Sequence, residues 1–170
     1  MSAVSRNSQR SPSARKVKAP DGIESRKTAA WLLTRVVDDG RNLDALTDNE
    51  HGADIYLALE SRDQALARAI VLTALRNRNR ISAMLKRVAD RPLPKRARFL
   101  THTLHVAAAQ ILFMNVPSSA AANIAVSMVG EDKRTSRFKA LANALVRRIS
   151  REREKLLENT QAVSPFPDWF

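Results

Sequence analysis

FLTHTLHVAAAQILFMNVPSSAAANIAVSMVG, residues 99–130, contains no lysine, arginine, aspartate or glutamate, although the protein carries a formal net charge of +12. A membrane-spanning helix needs about 20 consecutive, predominantly apolar residues. His102, His105, Gln110, Asn115 and the Pro117-Ser118-Ser119 step interrupt every such window. Proline cannot continue a helix, and serine behind it is a good N-cap. The stretch therefore predicts two consecutive helices meeting at Pro117, both buried at the centre of a helical bundle, with all charge displaced to the surrounding helices. No membrane partner is expected.

Helix signals flank this pair on both sides. Residues 24–37 place Ala29, Ala30, Leu32, Leu33, Val36 and Val37 on one face of a 3.6-residue period, and Gly40 ends the segment. A short helical turn is expected around Leu43 and Leu46. Ser61 opens a helix running to about Arg76, with Leu66, Ala69, Ile70, Thr73 and Ala74 facing inward. Residues 80–89 repeat the pattern with Ile81, Met84, Leu85 and Val88, and Arg91-Pro92-Leu93-Pro94 is a stop. A polar loop at 131–136 precedes a long last helix, about 137–158, carrying Leu141, Leu145 and Ile149 on one side. No strand pattern and no internal repeat is evident. The fold class is all-α, with about seven helices.

At 170 residues the chain makes one domain with a tail. Hydrophobic content of 44% is ample for a core, while four glycines and one tyrosine argue against a sheet-rich fold. The absence of cysteine excludes disulfides, thiolate zinc sites and cysteine nucleophiles, and is compatible with a cytoplasmic location. Residues 1–20 are basic and lack an apolar h-region, so they are no secretory signal. They hold five cations and no acid, so residues 21–170 still carry +7. The basicity is more than a tail effect, and it points to a polyanionic partner, above all RNA.

Several motifs then resemble one family. Arg62-Asp63-Gln64-Ala65-Leu66-Ala67-Arg68 with Thr73-Ala74-Leu75-Arg76 is similar to the second core helix of the NusB-like domain that opens the RsmB (Fmu/Sun) rRNA cytosine-5 methyltransferases. Arg91-Pro92-Leu93 resembles that subfamily's linker, and Ala109-Gln110-Ile111-Leu112-Phe113 with Val116-Pro117 resembles its central signature. The run from Phe138 to Arg148 is similar to its last helix, and Pro167-Asp168-Trp169 to the exit towards its catalytic part. The resemblance spans about residues 24–170, with Ala108 where the family usually has glycine. It implies a NusB-like bundle at 23–160, a disordered basic arm at 1–22 and the start of a linker at 161–170. It also implies an RNA-recruiting role on small-subunit rRNA. The family's S-adenosylmethionine loop and its two catalytic cysteines have no counterpart in these 170 residues, so no cofactor is expected in this chain and no catalysis by it alone. Two rivals stand beside this reading: a stand-alone NusB-type antitermination factor binding leader RNA with a ribosomal protein, and a docking module for its own methyltransferase domain. The same motifs also have purely mechanical roles, with Gln110 and Asn143 cross-linking helix ends.

His102 and His105 lie three apart on a helix, a spacing metal ligands can use, but no Asp, Glu or Cys stands within the neighbouring turns. Asp38-Asp39 and Glu131-Asp132 read as solvated residues at helix ends. The basic clusters are the candidates for RNA contact: Arg15, Lys16 and Lys18 of the arm with Arg26 and Lys27; Arg76, Arg78 and Arg80; and Lys133, Arg134, Arg137 and Lys139. Arg147, Arg148, Arg151 and Arg153 interleave with Glu152 and Glu154 and read as a solvated face. Lys27, Trp31 and Arg35 form a basic–aromatic–basic stripe that could stack an unpaired base; the alternative is that Trp31 packs under the arm or the C-terminal segment. Aromatic content of 5% favours recognition through phosphates over extensive base stacking.

Overall fold

The computed structural model describes residues 22–163, whose regular elements are all helical. In chain order they are α1 (Ile23–Val37), α2 (Leu43–Leu46), α3 (Asp54–Leu57), α4 (Ser61–Arg76), α5 (Arg78–Val88), α6 (Arg98–Phe113), α7 (Ser118–Glu131), α8 (Lys139–Arg151) and α9 (Arg153–Asn159), with a 3-10 turn at Ser136–Phe138 before α8. The arm residues Arg15, Lys16 and Lys18 and the closing Pro167-Asp168-Trp169 lie outside the described residues.

α6 is the centre. From Leu100 to Leu112 every residue except Thr101 is buried, and a helix buried on all sides has to be surrounded by others. α1, α4, α5, α7 and α8 all pack against it. Leu104 is fully enclosed, and truncating a leucine in such a place costs about 2–5 kcal/mol. α7 is different. Ala121, Ala122, Ile124, Ala125, Met128 and Val129 are buried, but Ser119, Ala120 and Asn123 face solvent. The charge-free stretch therefore makes one central helix and one lateral helix whose outer face is small and polar, not two central helices. The corner between them turns at Asn115, which sits at φ 54, a conformation asparagine tolerates better than most residues. Val116 N–H returns to the Gln110 carbonyl, and Pro117 then opens α7.

Other expectations shift in detail. Nine α-helices occur among the described residues instead of about seven. α3 is a single turn that drives Tyr56 into the core, too short to show a period. The last helix breaks at Glu152 because α9 turns so that Arg153 reaches the Leu112 carbonyl (3.4 Å) and Asn115 Oδ1 (3.2 Å) at the end of α6. In α4 the buried face is Ala67, Ile70, Val71 and Ala74; Ala69 is exposed, and Thr73 returns its hydroxyl to the Ala69 carbonyl. α5 begins at Arg78, directly after Asn77 closes α4. No helix among the described residues is long and apolar enough to cross a membrane.

Candidate nucleic-acid interface

The start of α1 and the end of α7 meet. Lys27 Nζ lies 2.6 Å from Glu131 Oε2 and 3.5 Å from Glu24 Oε1, and its hydrogen bond to Glu131 raises the ammonium pKa above its ordinary value. Beyond Glu131 the chain turns sharply. Asp132 Oδ1 accepts from Arg134 N–H (2.7 Å), and the buried Thr135 hydroxyl donates to the Val129 carbonyl (2.9 Å), closing the end of α7. This tight turn exposes Lys133, Arg134, Arg137 and Lys139 together. The Arg137 guanidinium lies over the Phe138 ring at 4.7 Å, and the Lys139 stem runs over Gly130, where an added Cβ would sit 3.2 Å from Lys139 Cδ. None of these four cations forms an ion pair with another described residue. The result is a positive edge at the turn between α7 and α8, just past Glu131, which Lys27 of α1 reaches.

Arg26 does not belong to that edge. The residue is 9% exposed, its Nε donates to Gln110 Oε1 at 2.8 Å, and a terminal N–H donates to the Gly22 carbonyl at 3.0 Å. Burial lowers its pKa from the ordinary value, and the nearby Asp63 carboxylate opposes that shift. Asp63 also accepts from the Ser25 hydroxyl at 2.8 Å. A guanidinium enclosed in this way fastens α1 to α6 and is withdrawn from any phosphate, which corrects its expected RNA contact. Nothing in the local pattern marks it, because its partner lies 84 positions away.

The Lys27–Trp31–Arg35 stripe is present, but each member is occupied. Trp31 is half-buried against the core, and the Arg35 guanidinium stands 5.1 Å from its ring centroid while also pairing with Asp39. Trp31 packs against the described core, with the arm and residues 164–170 outside the described residues, and Arg35 covers one ring face that a stacked base would need. Arg76 and Arg78 are exposed at the α4–α5 junction, apart from the α7–α8 edge. Arg80 is partly buried and engaged within the fold. Its guanidinium lies over Phe113 at 5.2 Å and reaches the Leu157 carbonyl at 3.4 Å, clamping α5 and α6 to α9.

A model of the NusB family matches residues 23–151. The chain belongs to the NusB family. Curated relatives named ribosomal RNA small subunit methyltransferase B include one from Xylella fastidiosa (strain Temecula1), 35% identical over 152 residues, which covers 88% of this chain and 33% of the relative. Another, from Xanthomonas campestris pv. campestris, is 34% identical over 134 residues, 79% of this chain and 30% of the relative. The Pasteurella multocida protein of that name is 28% identical over 150 residues, 86% of this chain and 32% of its own length. The chain thus spans about a third of the length of the curated relatives it matches.

In this NusB domain the two histidines of α6 are tied into the packing. His102 Nε2 lies 3.0 Å from Asp38 Oδ2, so Asp38 is half-buried and partnered, where the sequence suggested a solvated end. His105 Nδ1 faces the Thr101 carbonyl at 2.8 Å and its Nε2 faces the Ser82 hydroxyl at 3.1 Å. A carbonyl can only accept, so Nδ1 carries the proton and Nε2 accepts from Ser82. Burial pushes this imidazole down to about 4, and the Thr101 bond only partly opposes that. His102 and His105 are thus each engaged in a helix contact, His51 lies in an exposed turn, and among the described residues no three His, Asp or Glu side chains gather as a metal site. Gln110 bridges α1 and α6 as expected, whereas Asn143 accepts from Arg147 on its own helix instead of linking two ends.

Proposed function

We propose that this NusB domain binds structured RNA, small-subunit rRNA in particular, mainly through backbone phosphates. In a longer protein it positions a separate, S-adenosylmethionine-dependent cytosine-5 methyltransferase domain on that substrate in the cytoplasm. The methyl group is supplied by that cofactor in the separate domain, and none of the present residues is assigned to hold it. This chain's part is non-catalytic: to recognise the shape of the RNA and fix its register, which phosphate contacts do without reading bases.

The observation that carries the reading is the edge formed by Lys133, Arg134, Arg137 and Lys139, exposed and without ion-pair partners among the described residues. The common name of the relatives supports rRNA as the polyanion, and favours this reading over a stand-alone antitermination factor. The triple substitution K133E/R134E/R137E tests it in an electrophoretic shift with an rRNA hairpin. The expected result is loss of binding with an unchanged circular-dichroism spectrum. Retained binding would move the RNA contact away from this edge, and absence of binding by the wild type would turn the reading towards a docking module whose basicity is incidental.

A further inference from the structure

The arginines near the end of α8 divide into two sets. Arg148 donates its Nε to Glu152 (2.9 Å) and a terminal N–H to the Val88 carbonyl (2.9 Å) and Asp90 (3.3 Å). Arg153 is turned to the end of α6. These two hold the bundle together. Arg147 and Arg151, one helical turn apart, lie elsewhere. They line a cleft of about 390 Å³ between the start of α7 and the end of α8, together with Ser118, Ser119, Asn123 and Ser150.

The chemistry of this cleft is one-sided. Arg147 keeps a single neutral partner, Asn143, at 3.0 Å, and Arg151 forms no hydrogen bond or ion pair with a described residue. No carboxylate lines the cleft. The nearest acid along α8, Glu152, is bound by Arg148, and that hydrogen bond lowers its pKa below the ordinary carboxylate value. Glu152 still feels the Arg151 charge across the neighbouring hollow, but it is hydrogen-bonded to Arg148, and neither it nor Glu154 lines the cleft itself. Two guanidiniums with three hydroxyls and an amide form a donor-rich, concave surface. Planar guanidinium forks match the oxygen geometry of phosphate.

We propose that this cleft is a second phosphate subsite, in which Arg147 and Arg151 take a phosphodiester of the RNA backbone. The inference rests on the RNA-binding reading above and extends it to a separate part of the surface. α7 separates the two places: Lys133 lies two residues past its end and the cleft lies at its start, and 14 residues span roughly 21 Å at 1.5 Å per residue. RNA engaging both would lie along α7, where Ser119, Ala120 and Asn123 face solvent and the one carboxylate, Glu131 at the far end, is paired with Lys27.

The test compares the intact chain with R147A/R151A and R147K/R151K, measuring affinity for an rRNA hairpin by fluorescence anisotropy over a range of salt. The alanine pair is expected to bind more weakly, with the slope of log affinity against log salt shallower by about 0.7–0.9 for each phosphate that is no longer neutralised. The lysine pair should keep the slope while losing part of the affinity, since an ammonium replaces the charge but not the fork. Equal affinity and slope for wild type and R147A/R151A would overturn the subsite and leave the RNA reading intact. Wild-type protein with no salt-dependent RNA binding would defeat that reading, and the subsite with it. Inorganic phosphate titrated into the wild type distinguishes the source: shifts of the Ser118 and Ser119 amide resonances with an unaltered RNA slope in R147A/R151A would assign the cleft to a small anion and overturn the proposal.

Discussion

Arg26 Nε donates to Gln110 Oε1 across 2.8 Å in the interior, and Gln110 returns its own amide N–H to the Val106 carbonyl at 3.0 Å. The pair ties the first turn of α1 to the second half of the central helix α6. It makes an arginine that looks like a nucleic-acid contact into a structural bolt.

Removing one partner leaves the other buried and unsatisfied. Gln110→Leu is expected to destabilise the fold by about 1–3 kcal/mol in urea unfolding. Arg26→Met combined with Gln110→Leu should recover much of that loss, because neither polar group is then stranded. Arg26→Met that still folds should bind RNA as tightly as wild type. Additive losses in the double variant, or a collapse of RNA affinity in folded Arg26→Met, would refute this assignment.

His105 sets a pH dependence of stability. Its pKa is lowered from 6.5 to about 4 in the fold, so the ring stays neutral there while the unfolded chain takes up a proton near 6.5. Between those values the unfolded state binds more protons. The contribution of His105 is fully present above pH 6.5, falls as pH drops towards 4 and levels off below, a loss of up to about 3 kcal/mol. Denaturation at pH 7, 5.5 and 4 checks this, with His105→Asn expected to flatten that part of the profile. An identical decline in His105→Asn would place the effect on other groups.

Trp31 is expected to matter for packing. Trp31→Ala should lower stability by about 2 kcal/mol, at or below the range for a fully buried aromatic, and should leave the RNA affinity of the folded protein unchanged. A loss of roughly 1–3 kcal/mol in RNA binding at intact fold would instead restore base stacking.

Glu131 restrains Lys27. An exposed ion pair contributes at most about 1 kcal/mol, so Glu131→Gln should barely alter stability. It frees the Lys27 ammonium beside Lys133 and Arg134, and RNA affinity should rise with a steeper salt dependence. Weaker RNA binding in Glu131→Gln would mean that the 2.6 Å pair organises the edge instead of blocking it.

Much of the fold was legible because it rests on one-dimensional signals. The charge-free run from Phe99 to Gly130 forced a buried helix, Pro117 marked its corner, and the motif around Gln110 pointed to the NusB bundle. What escaped the sequence depends on distant partners. Arg26 reads as a surface cation in a first helical turn until Gln110 is brought to it. Arg80 reads the same way until Phe113 and Leu157 surround it. The Arg–Glu alternation along 147–154 reads as a solvated face, because spacing alone does not say that Glu152 hydrogen-bonds Arg148 while Arg147 and Arg151 line a cleft with the start of α7. Tyr56 sits in a helix of four residues, below the length at which a period can be read.

The central claim is that this domain holds structured RNA by its phosphates, and the salt dependence of affinity tests it most directly. Binding should be compared for a small-subunit rRNA hairpin and a scrambled hairpin of equal length. Counterion release from several phosphates predicts a log–log slope of about −0.9 per phosphate on duplex, so several units in total, with preference for the rRNA hairpin. A shallow slope with weak, sequence-blind binding that vanishes near physiological salt would contradict the account.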